Sequence, residues 1–418
     1  MAFPRPAVST ALTGPHEQTI PLWSFREDVA VESTDDGLNI LSRWGEVLLD
    51  HPRPATAESL RRMTLGPVAL ANVTGLDWFD LVGVFDQVPG CVVRSLGLRS
   101  SAAPLLSATP VSPRARFELP TLDREAALRL CRYAFLRESN GDMVLESPLS
   151  NHRVVLHRPL VSWVVGELSR PATSLGIAHG VDVPEPLVAE ILPYLLATGM
   201  VVYDDAEPLA WTPHELMFHS RSRLGRHDES ALGDTERVAP LPAVKPLPAG
   251  PRFPLYRPDP AVPAAHDMPL TAAVELRRSV REFADEGPSA AQLGELLYRS
   301  ARVRSLVAGM EPRPVSERPY PSAGGLYELE LYLTVDRCDG LPRGIYHYDP
   351  NDHALTLVND RREHADELLD SAKLLLGTNR RPPTLITMTA RMGRMSCGYD
   401  GIAYTTTLKH VGVLQQTL

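Results

Sequence analysis

Leu276-Arg277-Arg278-Ser279-Val280-Arg281-Glu282-Phe283 and Arg318-Pro319-Tyr320-Pro321-Ser322-Ala323-Gly324-Gly325-Leu326-Tyr327 are the stretches whose reading decides the fold. The first sets three arginines and a serine at the end of an expected helix, Thr271–Arg278. Guanidinium forks and a hydroxyl suit a phosphate, because arginine pairs with it bidentately and stays charged. The second is a turn leading into the alternating strand Glu328–Arg337, and its adjacent glycines let the backbone approach something flat and bulky. Taken singly, an arginine-rich helix end also fits a solvated face, and Ser-Ala-Gly-Gly also fits an ordinary loop.

In this order and spacing the two stretches resemble the nitroreductase-like flavoproteins, and specifically the SagB-type dehydrogenases. These oxidise azolines to azoles in ribosomally made peptides, giving thiazole- or oxazole-modified products. The resemblance implies FMN as cofactor. It implies that Arg277, Arg278, Ser279 and Arg281 hold the phosphate and ribityl chain, and that Pro321, Ser322, Ala323, Gly324 and Gly325 lie against the ring. It extends over most of residues 120–418. In such enzymes a Lys-Tyr pair follows an Ala-Arg-x-x-Arg strand end; here Ala390-Arg391-Met392-Gly393-Arg394 leads to Gly398-Tyr399. Tyr399 matches the tyrosine and is the candidate catalytic residue, while glycine stands in the lysine's place. A glycine transfers no proton, and a tyrosine, with an ordinary pKa of about 10, needs a neighbour to act as base. Cys397 is a conceivable substitute, although an isolated cysteine is more often inert.

The chain's last residues, Val413–Leu418, fall where the family enters a central helix, and the resemblance counts Gln416 with the cofactor residues. Relatives continue with more helix, a strand, a flavin-contact turn and a late arginine. The expected fold is therefore α+β, a C-terminally incomplete nitroreductase-like FMN-binding core preceded by winged-helix-like modules. A truncated, split or degenerate chain would account for the ending.

Working outward, Val238–Pro269 is rich in proline, which favours extended, semi-rigid chain. A strap fixed over the surface is a better reading of it than a hinge. The expected divisions are a flexible 1–16, peptide-clamp modules at 17–115 and 116–228, a linker at 229–269, and the FMN domain at 270–418. Helices are expected over Thr56–Leu65, Trp78–Phe85, Arg124–Cys131, Pro159–Leu168, Pro184–Thr198, Glu363–Leu376 and from Thr407 onward. Strands are expected at Trp23–Val31, Leu38–Leu41, Cys91–Leu98, Arg153–His157 and Thr384–Thr389, with Met395–Tyr399 extended.

A winged helix suggests DNA binding, but the Pro184–Thr198 helix carries Glu185 and Glu190 and no Lys or Arg. Phosphate contacts dominate such affinity, so an acidic helix reads DNA poorly. A net charge of −9 likewise argues against nucleic-acid and anionic-membrane partners. Strand addition of an extended peptide is the alternative use of these modules, and the resemblance implies a precursor peptide as partner. Cyclodehydratase subunits, a chain completing the fold, or a homodimer are further expected partners. Cys91, Cys131, Cys338 and Cys397 are scattered, which suggests neither zinc nor disulfides and fits a reducing, cytoplasmic setting. His214 and His219 read as packing residues. Other readings of the chain are a non-catalytic leader-binding subunit and a general NAD(P)H-dependent nitroreductase.

Overall fold

A computed structural model describes residues 18–100, 103–204, 210–223, 239–307 and 314–418. The expected flexible N-terminus lies outside the described residues. The chain divides into two compact units, Met1–Asp228 and Glu229–Leu418.

The N-terminal unit begins with strands β1 (Thr19–Phe25), β2 (Ala30–Thr34), β3 (Gly37–Ser42) and β4 (Gly45–Asp50) and helices α1 (Pro54–Thr64) and α2 (Leu76–Gln87). It continues with β5 (Val92–Leu98), β6 (Pro104–Pro110), β7 (Leu128–Leu130), β8 (Phe135–Ser139), β9 (Asp142–Glu146) and β10 (His152–Leu156). Helices α3 (Pro159–Glu167), α4 (Ser174–Val181) and α5 (Glu185–Ala197), strand β11 (Val201–Tyr203) and helix α6 (Pro213–Arg221) complete it. Its main sheet is antiparallel, in the order β1-β5-β6-β10-β9-β8. Strand β6 pairs with β10, so a single sheet runs across the 115/116 division.

The expected strand Trp23–Val31 is two strands. It breaks after Phe25, where β1 pairs with β5 and β2 joins a separate sheet with β3 and β4. Arg124–Cys131 is not helical. The helix-forming composition there yields to pairing of Leu128–Leu130 with β11, an override of local propensity by tertiary contacts. Three helices, α3 to α5, follow the hairpin β8–β9, whereas the winged-helix reading expects the hairpin after the helices. Pro159 starts α3 at a position where a missing N–H costs nothing. Gly199, at φ +68°, stops α5, with Met200 N–H returning to Leu195 O at 2.9 Å. Glu185 takes hydrogen bonds from Ser174 Oγ at 2.7 Å and Arg124 at 3.0 Å, so the acidic end of α5 serves the fold. His219 stacks on Trp211 with centroids 5.1 Å apart.

The C-terminal unit holds β12 (Arg252–Pro254), α7 (Ala261–His266), α8 (Leu270–Leu276), α9 (Ala290–Ala301), β13 (Ser305–Val307) and β14 (Val315–Glu317). Then come β15 (Leu329–Val335), β16 (Gly344–Asp349), β17 (Ala354–Asn359), α10 (Arg362–Leu376), β18 (Thr384–Ala390), α11 (Met392–Ser396) and α12 (Ala403–Thr417). Its five-stranded antiparallel sheet runs β12-β17-β16-β15-β18. Alternation along β15 sends Leu329, Leu331, Leu333 and Val335 into one core with Leu293 and Leu297 of α9 and Leu414 of α12. Ser289 caps α9 reciprocally with Gln292.

The opposite face of the sheet is polar. Glu330 accepts from His347 at 2.9 Å and meets Arg391 at 3.4 Å, and Lys245 donates to Tyr332 Oη at 2.6 Å. The described part of the proline-rich stretch is tied to this unit: Arg252–Pro254 adds an edge strand against β17, and Pro242 O accepts from Arg391 at 2.8 Å. The expected extended segment at Met395–Tyr399 is instead helix α11 followed by a turn in which Tyr399 N–H bonds Met395 O at 2.7 Å. That turn lets Arg394 point inward, as the site requires.

Candidate flavin site

Between β14 and β15 the chain makes a tight platform at Pro321–Tyr327. Gly324 and Gly325 have φ of +60° and +64°, the left-handed region where glycine carries no Cβ penalty. Tyr327 also has a positive φ, +46°, and a non-glycine residue there costs on the order of 1–3 kcal/mol. Such a residue persists only where its surroundings over-determine it, and the surroundings here do. Tyr327 N–H donates to Ser322 Oγ at 3.0 Å, and its ring meets Tyr320 edge-on at 5.1 Å. The guanidinium of Arg318 lies 5.1 Å from the same ring.

Two buried groups pin the platform from beneath. Arg394, 1 % exposed, donates to three backbone carbonyls: Leu326, Leu241 at 2.7 Å and Pro314 at 2.8 Å. Burial pushes its pKa down to about 10, which leaves it cationic at neutral pH. From α12, His410 Nε2 accepts the Ala323 N–H at 2.9 Å, while Nδ1 lies 2.8 Å from Oε1 of the fully buried Glu328. Neither histidine nor glutamate carries a signal in the local sequence, since 82 positions separate them. Arg394 sits in the Ala-Arg-x-x-Arg run but shows its role only in three dimensions.

Tyr399 comes to the platform: a Cβ added at Gly324 would lie 3.3 Å from its hydroxyl. A Cβ at Gly325 would lie 3.3 Å from Val315. Pro321 and Gly324 are exposed, so the top of the turn is open and no side chain rises from Gly324. Among the described residues, Arg318 Nη2 and Tyr320 Oη, both buried beside the turn, have no hydrogen-bond partner. Cys397 is buried with its thiol directed to Arg394 O at 3.1 Å, so it is no substitute for the absent lysine.

The arginine run is placed differently. Helix α8 ends at Leu276, and Arg277, Arg278, Ser279 and Arg281 follow it on exposed chain. Helix α8 buries none of its residues. Among the described residues, no hydrogen bond or ion pair joins this run to the platform. Gln416 is exposed on the last turn of α12. The structure thus brings Tyr399 to the Pro-Ser-Ala-Gly-Gly turn, and among the described residues no hydrogen bond or ion pair links the arginines or Gln416 to it.

The residues present fit a flavin. A flat ring needs a surface with no Cβ in the way, which Gly324 and Gly325 provide, and a phosphate suits guanidinium forks, which the run after α8 carries on exposed chain. Among the described residues no helix is long and apolar enough to cross a membrane.

Comparison with known proteins gives two family matches. Residues 128–228 match the model of the cyanobactin oxidase ThcOx, and residues 274–418 match the nitroreductase family. A curated Methanocaldococcus jannaschii protein is 28% identical over 102 residues, which make up 24% of this chain and 46% of that protein. The chain thus spans about half the length of that relative. Two solved structures resemble the chain, from Ralstonia eutropha (25% identity, 42% of this chain and 75% of that one, TM-score 0.30) and Anabaena variabilis (22%, 48% and 36%, TM-score 0.31). All three relatives bear the description "putative nitroreductase". The cyanobactin-oxidase match at 128–228 and the nitroreductase-family match at 274–418 agree with the resemblance to nitroreductase-like dehydrogenases of the SagB type.

Proposed function

We propose that this protein oxidises azolines to azoles in a ribosomally made peptide, with FMN as cofactor. The observation that carries the reading is the meeting of Tyr399 with the Gly324–Gly325 platform, inside a nitroreductase-family domain that follows a cyanobactin-oxidase segment.

Converting an azoline to an azole removes a hydride and a proton from adjacent ring atoms. Bound FMN supplies the two-electron acceptor for the hydride, to be reoxidised by molecular oxygen or another two-electron acceptor. The chain's own residues do the rest. Gly324 and Gly325 leave room for a flat ring. Arg277, Arg278 and Arg281 would pair with its phosphate, and Ser279 would add a hydroxyl. The Tyr399 hydroxyl, beside the platform, can orient the azoline by a hydrogen bond and relay the proton to solvent. Gly398 leaves the tyrosine without the basic neighbour of the resemblance.

The N-terminal unit would hold the precursor peptide, and its six-stranded sheet offers an edge strand at β8 for strand addition. A small-molecule reductase has no need of such a unit, which favours the peptide-directed reading.

Titration of the purified protein with FMN tests the cofactor. Quenching of flavin fluorescence at micromolar FMN is the expected result, and a preparation that never binds flavin leaves only a peptide-binding role. Azoline-peptide turnover, set beside nitroarene reduction by NAD(P)H, tests the substrate. Faster nitroarene reduction than azoline oxidation would overturn the peptide reading.

A further inference from the structure

We propose that His410, held by Glu328, is a positioning residue: it latches the Pro-Ser-Ala-Gly-Gly turn in the conformation that faces Tyr399. The latch is read from geometry alone, and its consequence for flavin affinity rests on the cofactor reading above.

The chemistry at the two ring nitrogens fixes the arrangement. The Ala323 N–H can only donate, so Nε2 of His410, at 2.9 Å, must be an acceptor. The ring's proton then lies on Nδ1, where the Glu328 oxygens stand at 2.8 and 3.1 Å to receive it. Both side chains are buried, at 6 % and 0 % exposure. A buried carboxylate hydrogen-bonded to imidazole fixes both tautomer and ring orientation.

The contact gives the Ala323 N–H a partner from outside the turn. Gly325 N–H returns to Ser322 O at 3.1 Å, Leu326 N–H to Ala323 O at 3.3 Å, and Tyr327 N–H to Ser322 Oγ. Ala323 N–H alone is satisfied from outside, by a residue on α12. With Tyr327, a non-glycine residue, at φ +46°, the turn is held in a sparsely populated backbone state. The external bond at Ala323 selects that state over relaxed alternatives. Helix α12 reaches the core through Leu414, one turn beyond His410, so its packing and the turn's shape are joined through one side chain.

Hydrogen exchange of the full chain, read on peptides covering 322–327, tests the latch without any cofactor. Glutamine can place its carbonyl oxygen near the Nε2 position, whereas asparagine reaches only the Nδ1 position. His410→Asn is expected to exchange roughly 5–30-fold faster over 322–327, the factor corresponding to loss of one or two kcal/mol of local protection. Protection of Leu329–Val335 stays unchanged, which shows that the fold is intact. His410→Gln is expected to restore native exchange in the turn. Glu328→Gln, which no longer dictates the tautomer, is expected to fall between. Native protection of the turn in His410→Asn overturns the proposal, as does a Gln variant no better than Asn. Flavin titration of the same variants is a separate reading: affinity should follow turn protection. Loss of protection in a protein that never bound flavin supports the latch and sinks the cofactor assignment instead.

Discussion

The platform at 321–327 and the arginine run at 277–281 were marked by the sequence as halves of one site, and they are built in opposite ways. Every N–H from Ala323 to Tyr327 except that of Gly324 has an assigned partner, and buried Arg394 and His410 reach in from two different helices. The run hangs from a helix that buries nothing, with its guanidinium groups exposed. The first is a preorganised surface whose shape the fold maintains. The second carries charge whose geometry a ligand must set. Preorganised groups lose little freedom on binding, whereas long exposed side chains lose on the order of 0.5–1.5 kcal/mol each when immobilised. Substitutions in the platform should therefore act on stability first, and substitutions in the run on affinity alone.

The largest effect is expected at Arg394. Arg394→Met leaves the carbonyls of Leu241, Pro314 and Leu326 without their donor, and an orphaned buried carbonyl costs about 1–3 kcal/mol. Thermal unfolding should show a loss on the order of 3–5 kcal/mol for the C-terminal unit. A loss under about 1 kcal/mol would mean that the platform holds itself, and the contrast with the run would disappear.

A second instance of the contrast sits in the N-terminal unit. His410 has a partner at each nitrogen, whereas burial alone pushes His152 down to about 4 from an ordinary 6.5. Because the folded value is depressed, the neutral ring supports the fold above pH 6.5. Stability is then lost as the pH falls from 6.5 towards 4, by up to about 3 kcal/mol. All five tryptophans, at 23, 44, 78, 163 and 211, lie in this unit, so urea unfolding followed by tryptophan fluorescence reports on it. The free energy at pH 5 should lie about 2 kcal/mol below that at pH 7, and His152→Gln should flatten the difference. An unchanged slope in that variant would move the effect to His157, which burial also holds below its ordinary value.

For the run itself, the double substitution Arg277→Gln, Arg281→Gln should leave the melting temperature within 1 °C, as expected of exposed side chains. FMN affinity should fall by roughly 10–100-fold, from the loss of charge-assisted bonds to a phosphate. A stability change with no affinity change would reverse the roles assigned to the two regions.

How much of this was legible in the sequence follows the same division. Local pattern gave the alternating strand β15 and the helices expected over Pro159–Leu168, Pro184–Thr198 and Glu363–Leu376, because nearby residues dictate them. The glycine pair was legible for the same reason. The misreadings came where distant contacts decide. Leu128–Leu130 is a strand only because β11 lies beside it, and Met392–Ser396 coils because Arg394 must reach three carbonyls. His410 left no trace in the sequence, since its meaning lies in a bond to Ala323 across 87 positions. Arg277–Arg281 was legible as composition, yet its placement relative to the platform was not, because α8 has no burial pattern to fix it.

The smallest expected effect is also the most discriminating. Gly324 and Gly377 share nearly the same backbone, φ +60° and +64°, and both are exposed. An alanine at either must adopt the left-handed conformation, at roughly 1–2 kcal/mol. Around Gly377, the stop of α10, a Cβ meets nothing within 4 Å, so Gly377→Ala measures the backbone cost alone. At Gly324 the same Cβ meets Tyr399 Oη at 3.3 Å, and the hydroxyl must give by a few tenths of an ångström. The two variants should therefore lose similar stability, within about 0.5 kcal/mol. Only Gly324→Ala should also weaken FMN binding and slow azoline oxidation. If Gly377→Ala lowered activity equally, the loss would be one of folded protein, and the assignment of the platform as a flavin surface would fail. If both variants kept full flavin affinity, the glycine would be a turn residue and nothing more.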